Sequence, residues 1–372
     1  MLTILHTADL HLGHVSGQLE PEAARKLARA RLTVVETILG LADQYDVRAV
    51  LCAGDLFDTP SPDPDWWRGL LASFTKRTAW SRPVLLLPGN HDPLIRDSVY
   101  DRAHPFRRGL PPWVHVVDRD NFELALGADA VVYSSPCRST AGADDLALAL
   151  PRRADGDERI RIGLVHGSTF DLPDYQTNFP ISREAPERCG LDYLAVGDTH
   201  GFREIPGGAV APIVYPSAPE PTNFKESDTG QVAIVTFRRR GLPPRIRKER
   251  VARWTWRDEN VDTLAGLRKL ASEDLTTTVL RVHVDMTVSM SEKEEVDALL
   301  ESLRGTLAAH GRAGALVADC KNLREVSVEA LDLDGAPETI REVAQALQAR
   351  AVSCDKARRA LVILHRLLKQ VR

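Results

Sequence analysis

The chain has 372 residues, 43% hydrophobic and 27% charged, with a formal net charge of −4 and an isoelectric point near 6.3. This length suits one large and one small domain, each with its own core, and the mild acidity excludes a chain coated in basic charge but leaves room for a local basic groove. Five scattered cysteines, Cys52, Cys137, Cys189, Cys320 and Cys354, form no CxxC pair, and neither a basic leader nor a bilayer-length apolar run occurs; these features argue for reduced thiols and for a soluble cytoplasmic protein with no membrane partner.

Taken in chain order, Met1 to Thr7 reads as a buried strand that ends in the polar turn Ala8 to Gly13. A helix is predicted over Pro21 to Tyr45, where Leu27, Leu32, Val35, Ile38 and Leu39 recur near helical spacing. Val47 to Cys52 is a second strand, Asp65 to Ala79 a helix and Pro83 to Leu87 a third strand. Strand–helix–strand alternation implies parallel pairing with right-handed crossovers. Short strands follow from Trp113 to Ser135, with buried strands at Arg159 to Val165 and Tyr193 to Val196. Gln231 to Arg240 and Arg245 to Trp256 read as an antiparallel pair around Gly241-Leu242-Pro243-Pro244. A first domain is expected over residues 1–257 and a small α/β domain over 258–335. That second domain would hold a strand at Thr278 to Thr287, a helix at Ser291 to His310 and two strands within Ala315 to Glu329. Residues 336–372 would form two closing helices, Pro337 to Ala349 and Ser353 to Lys369.

Five short clusters stand at predicted strand ends, where α/β sheets bind ligands. They are Asp9-Leu10-His11, Gly54-Asp55-Leu56-Phe57-Asp58, Gly89-Asn90-His91-Asp92, His166-Gly167 and Gly197-Asp198-Thr199-His200. Singly, each is commonplace: GDxxD also caps helices, and Gly-Asn is a good turn by itself. Together, carboxylates, imidazoles and one amide oxygen make a mixed N/O set suited to divalent manganese, iron, zinc or magnesium. Asp55 is the candidate bridge for a close metal pair, which would yield hydroxide near neutral pH and clamp phosphate oxygens.

The ordered motifs resemble the calcineurin-like metallophosphoesterases. His6-Thr7-Ala8-Asp9-Leu10-His11-Leu12-Gly13, Asp55-Leu56-Phe57-Asp58 and Tyr215-Pro216-Ser217-Ala218-Pro219-Glu220 resemble the SbcD-type DNA-repair nuclease branch, over residues 1–225. The resemblance implies a four-layer α/β/β/α core followed by a small C-terminal α/β cap. It implies hydrolysis of DNA phosphodiester bonds, as an exonuclease or endonuclease, by a metal-bridged hydroxide. Asp9, His11 and His200 would hold one ion; Asn90, His166 and Asp198 would hold the other; Asp55 would be shared. His91 would contact the phosphate and protonate the leaving oxygen, and Asp58 and Asp92 would orient these groups. Two divalent ions, manganese first among them, are the implied cofactors. An SbcC-type coiled-coil ATPase and a second copy of the chain are implied partners. One position departs from the family: Asp198 stands where histidine is usual, adding negative charge that favours manganese or magnesium over zinc. A phosphoesterase of nucleotides or lipid diphosphates, and a non-catalytic metal-bound partner of the ATPase, are the rival readings.

Outside this set, His6 reads as a packed strand histidine, His14 either as a residue reaching the site from the first loop or as an ordinary surface-loop histidine, and Trp66 and Trp67 as helix packing rather than base-stacking groups. The basic stretch that includes Arg239, Arg247, Lys248 and Arg250 reads either as a solvated hairpin or as a phosphate-tracking edge for DNA. Leu361, Ile363, Leu364, Leu367 and Leu368 form a closing apolar stripe, expected to pack in the cap or to dock the ATPase.

Overall fold

Alternation along the first strands decides the architecture. The computed structural model describes residues 1–169, 178–206, 211–309, 315–321, 323–325, 333, 336–351, 354, 356–357, 360–361, 363–364 and 367–368. In it, β1 (Leu2–Thr7), β2 (Ala49–Cys52) and β3 (Val84–Leu86) run parallel, with Ile4 opposite Ala49 and Val50 opposite Val84. A strand sends successive side chains to opposite faces. Ile4, Leu51 and Leu85 therefore enter one core, and Leu5, Val50 and Leu86 another. β4 (Val114–Val116) adds a parallel strand at one edge. At the other edge, β11 (Gln231–Phe237) and β12 (Arg245–Arg250) add antiparallel strands.

A sheet apolar on both faces must be covered on both. Its outer face lies under α1 (Pro21–Gln44), α2 (Pro64–Thr75) and α3 (Pro105–Gly109), whose Val34, Val35, Ile38, Leu70 and Phe106 complete that core. Asp63 caps α2 through the Asp65 amide, and Pro64 supplies its first turn. The inner face meets a second sheet of β5 (Phe122–Ala125), β6 (Ala130–Ser134), β7 (Ile160–His166), β8 (Tyr193–Gly197), β10 (Pro212–Tyr215) and β9 (Arg203–Pro206), in that spatial order. Val132, Ile162, Leu164, Ala195 and Val214 pack against Ile4, Leu51 and Leu85. The outer face of this second sheet carries Val131, Val165, Leu194 and Val196 beneath α4 (Ala185–Cys189). The expected four-layer α/β/β/α core is the fold of this part. His6 bridges the two sheets from β1, its Nδ1 2.9 Å from the Tyr193 hydroxyl, and burial lowers its pKa to about 3, so the ring is neutral.

The chain divides into Met1–Trp256 and Arg257–Arg372. The second unit is small and α/β. β13 (Thr255–Val261), β14 (Thr278–Val284) and β16 (Ala315–Asp319) form its main sheet, and β15 (Thr287–Val288) pairs with β17 (Arg324–Glu325). The helices are α5 (Leu264–Ala271), α6 (Met290–Ala309) and α7 (Glu338–Ala351). Leu267, Leu280, Val282 and Val296 fill its core.

The predicted strand Arg245 to Trp256 is two strands. The Gly230 carbonyl accepts from both Val251 and Ala252 amides, and Glu220 accepts from the Arg253 and Trp254 amides, which ends β12 before β13 begins. The closing apolar stripe is split: Leu361 is buried with Met290, Ala344 and Ala351, whereas Ile363 and Leu367 are 59% and 53% exposed. The end of the predicted strand at 326–329, and 353, 355, 358–359, 362, 365–366 and 369 of the last predicted helix, lie outside the described residues.

Candidate metal centre

Parallel strands finish at a common edge, so β1, β2 and β3 deliver their loops side by side, and β7 and β8 deliver theirs from the facing sheet. The loops touch closely. A side chain at Gly197 would sit 2.0 Å from the Ala53 carbonyl, and one at Gly89 would sit 2.2 Å from Asp55 Oδ1, so only glycine fits between the motifs. Asp9, His11, Asp55 and Asp198 all carry positive φ, at 55°, 45°, 51° and 102°. Such conformations cost about 1–3 kcal/mol each and concentrate at functional sites. Main-chain bonds hold them: Asp9 N to Gly54 O at 3.1 Å, His11 N to Asp55 O at 2.9 Å and Leu12 N to Leu56 O at 2.9 Å. The Asp198 amide donates to both oxygens of Asp9, at 3.0 and 3.2 Å, joining β8 to β1.

The outer hydrogen bonds fix which way each imidazole faces. His11 Nδ1 lies 3.0 Å from Asp58 Oδ1, His200 Nδ1 2.7 Å from Glu226 Oε1, and His166 Nδ1 2.8 Å from the Ala53 carbonyl. An acceptor at Nδ1 puts the proton there and leaves Nε2 with its lone pair. Those three lone pairs all point inward. His11 Nε2 and His200 Nε2 are 3.1 Å apart. His166 Nε2 is 2.7 Å from Asn90 Oδ1, 3.4 Å from Asp55 Oδ2 and 3.9 Å from Asp198 Oδ1. Acceptors facing acceptors at these distances need a proton or a metal ion between them. Asp55 Oδ2 lies 3.8 Å from His11 Nε2, so its carboxylate stands between the two imidazole positions. Ligand atoms of Asp9, His11 and His200, and of Asp9, Asp55 and His166, each lie within 4.8 Å of one another. The donor set therefore fits two hard or borderline divalent ions, with no thiolate present.

In the protein without metal, protons take the cation's place. Burial lowers the His166 pKa, but the Asp55, Asp9 and Asp198 carboxylates outweigh it and raise it to about 10. His200 is likewise burdened by burial yet raised by Glu226 and Asp9, while burial takes His11 down to about 4. Burial, with Asp55 and Asp198 nearby, raises Asp9 to about 7. Asp55 is also buried, yet the His166, His11 and His91 imidazoles keep its pKa below the usual carboxylate range.

The remaining expected residues have other surroundings. His91 is exposed; its amide donates to Asp55 Oδ1 at 2.9 Å, and its ring stands edge-on to His11 with centroids 4.8 Å apart. Asp58 accepts from His11 and also lies 3.3 Å from His14 Nδ1, so His14 does reach the rim of the site. Asp92 is fully buried and does not join the ligand atoms. Its oxygens accept from the Phe57 and Gly89 amides and the Tyr100 hydroxyl, pinning the GNHD loop to the GDxxD loop. Trp66 and Trp67 belong to the helix-side core. The four basic candidates do not form one surface. Arg247 lies beside Tyr45 on the helix side, Lys248 lies over Phe202 and bonds Asp228 on the other side, Arg250 bonds Thr255, and Arg239 is at the hairpin tip.

Two residues of the site escaped the sequence reading. Glu226 holds His200 and is itself fixed by the Thr222 hydroxyl and amide and by Asn223 Nδ2. Arg31 is buried in α1 and donates to the carbonyls of Leu10, Glu220 and Pro221, tying the first motif to the segment that carries Thr222. Its signal was available: Arg31 sits four residues from both Leu27 and Val35, on the apolar face of the helix.

Metal binding at pH 7 is expected to release protons, because His166 must be neutral to act as a ligand. A raised histidine pKa means the charged ring stabilises the metal-free fold fully below its ordinary 6.5, and that stabilisation is lost as pH rises through about 10. Calorimetric manganese titrations in two buffers of different protonation enthalpy should give different heats; equal heats would contradict the protonated site. Glu226→Gln should weaken metal binding about 10–100-fold in the same titration, and unchanged affinity would show that Glu226 does not orient His200.

The family model for the calcineurin-like phosphoesterases matches residues 2–202, more than half of the chain. The chain is 24% identical over 234 residues to the uncharacterized metallophosphoesterase YhaO of Bacillus subtilis, covering 61% of this chain and 55% of that protein. It is 30% identical over 241 residues to the DNA double-strand break repair protein Mre11 of Aeropyrum pernix, covering 62% and 56%. The matched segment thus spans just over half the length of either relative. Among solved structures, TT1561 of Thermus thermophilus aligns with a TM-score of 0.42 at 14% identity, over 67% of this chain and 99% of that one. With the family model covering most of both sheets and all five motifs, the chain is a member of the calcineurin-like phosphoesterases, a family of metal-dependent phosphoester hydrolases.

Proposed function

We propose that the protein is a two-metal phosphodiesterase that hydrolyses DNA. The observation that carries the reading is the pair of inward acceptor clusters on either side of Asp55, His11 with His200 and His166 with Asn90. Asp9, His11 and His200 would hold one ion, and Asn90, His166 and Asp198 the other, with Asp55 available to both. Divalent ions bound there would supply charge neutralisation for the phosphate and a hydroxide source near neutral pH. The carboxylate of Asp198 in place of an imidazole favours manganese or magnesium over zinc.

The protein's own groups supply the rest. Asp58 and Glu226 keep His11 and His200 turned inward, and Ala53 does so for His166. His91, exposed and edge-on to His11, is the group free to meet the phosphate and to give a proton to the leaving oxygen. DNA as substrate is supported by the nuclease-like spelling of the motifs and by the similarity to an Mre11 protein.

The decisive comparison is hydrolysis of bis-p-nitrophenyl phosphate, and of linear duplex and single-stranded DNA, with manganese. His91→Ala should lose about 10²–10⁴-fold in rate with metal content unchanged. Wild-type protein that cleaves the nitrophenyl diester and nucleotides but leaves DNA intact would replace DNA with a small-molecule substrate.

An SbcC-type ATPase is the partner we propose, supported by the exposed apolar side chains of Ile363 and Leu367. Ile363→Asp with Leu367→Asp should abolish co-purification of the ATPase while leaving the fold intact, and undiminished co-purification would refute docking at these residues.

A further inference from the structure

Within 238–253 the hairpin of β11 and β12 carries Arg238, Arg239, Arg240, Arg245, Arg247, Lys248, Arg250 and Arg253 against one acid, Glu249, and of these Arg238, Arg245 and Arg247 line one groove while Lys248 faces the other side. The whole chain has a net charge of −4, so this is a local reversal of sign. Register puts its tip at the far end of the sheet from the metal centre. Leu2 pairs with Phe237 and His6 with Ala233, so β11 runs away from the loop that carries Asp9. At about 3.3 Å per residue, the turn at Gly241 lies on the order of 20 Å or more from Asp9.

At that end α1 has already stopped at Gln44, and an open groove of about 690 Å³ remains on the helix side of the sheet. Ile234 lies in its floor, Tyr45 and Pro244 are in its walls, and Arg238, Arg245 and Arg247 line it. Its volume is in the range of ligand sites. Arg247 is engaged, paired with Glu249 and lying over the Tyr45 ring at 5.4 Å. Arg238 and Arg245 are exposed and have no carboxylate partner among the described residues. Arg245 and Arg247 are alternate residues of one strand, hence on one face and about 6.6 Å apart.

We propose that this groove is a second binding site for a single nucleic-acid strand, separate from the metal centre. Arg238 and Arg245 take successive phosphates, and a base lies against the Tyr45–Arg247 stack and the apolar surface of Pro244. Uncompensated guanidinium groups call for an anion. The aromatic and apolar lining beside them suits a base face better than an acidic peptide. The inference rests on the reading of the protein as a nuclease and gives it a remote hold on the same polymer, which positions without contributing to chemistry.

The test uses the full chain in chelator, so that nothing is cleaved, and a fluorescent oligodeoxythymidylate followed by anisotropy across a salt series. Arg238→Glu with Arg245→Glu should weaken binding at least about tenfold and make its salt dependence shallower. Hydrolysis of bis-p-nitrophenyl phosphate in manganese should be unchanged, because neither residue is near the metal centre. Superimposable anisotropy curves for wild type and variant would overturn the proposal. So would equally tight binding of labelled polyglutamate that the same variant loses, which would assign the groove to an acidic polypeptide. Oligonucleotide binding through these arginines by a protein that cleaves only small diesters would sustain the groove and refute the nuclease reading. DNA cleavage with the same KM in wild type and variant would do the reverse.

Discussion

Everything in the centre depends on the orientation of three imidazole rings. A histidine ring has two nitrogens, and an acceptor at one decides what the other can do. Here Asp58, Glu226 and the Ala53 carbonyl each take an Nδ1, and the three Nε2 atoms converge around Asp55. Convergence of acceptors is unfavourable in a buried site unless positive charge joins them. The fold maintains it, and in the protein without metal, against the effect of burial, the neighbouring Asp55, Asp9 and Asp198 carboxylates raise the His166 pKa so that a proton supplies that charge.

The scaffold that imposes this arrangement is the packing of two sheets face to face with their strand ends at a common edge. Strands from both sheets stop at one edge, and their loops interlock through main-chain bonds such as Asp9 N to Gly54 O and Asp198 N to the Asp9 carboxylate. Glycine at 89 and 197 allows approaches that any side chain would block. The left-handed conformations of Asp9, His11, Asp55 and Asp198 oppose folding, and the bonds between loops offset that cost. Asp92 and Arg31 serve the same end from below: one pins two motif loops together, the other ties the first motif to the segment around Thr222. Rigidity of the ligand set thus comes both from main-chain bonds of the ligands themselves and from Asp92 and Arg31 behind them.

The part of the site legible in the sequence is the part written contiguously. Asp9 with His11, Asp55 with Asp58, and Asn90 with His91 are short motifs after apolar runs, and strand ends gave them a common address. Glu226 was not legible, because its relation to His200 is made by the chain turning back 26 residues later, with no periodicity to announce it. The main strands and long helices were read from alternation and helical spacing. The short α3 and α4, five residues each, carry too few turns for a period to appear. The break between β12 and β13 was hidden because its cause, Glu220 and Gly230 drawing off amides, lies some twenty to thirty residues back in the chain. Asp92 supports its loop without touching His91: its side chain accepts from the Phe57 and Gly89 amides and the Tyr100 hydroxyl.

The most direct test of the account is the anomalous diffraction of crystals grown with manganese, recorded at the manganese edge. The account predicts two peaks about 3.5–4 Å apart, one beside His11 and His200, the other beside His166 and Asn90, with the Asp55 carboxylate between them. A single peak, or manganese found away from these imidazoles, would contradict the claim that their inward lone pairs are built to hold a pair of ions.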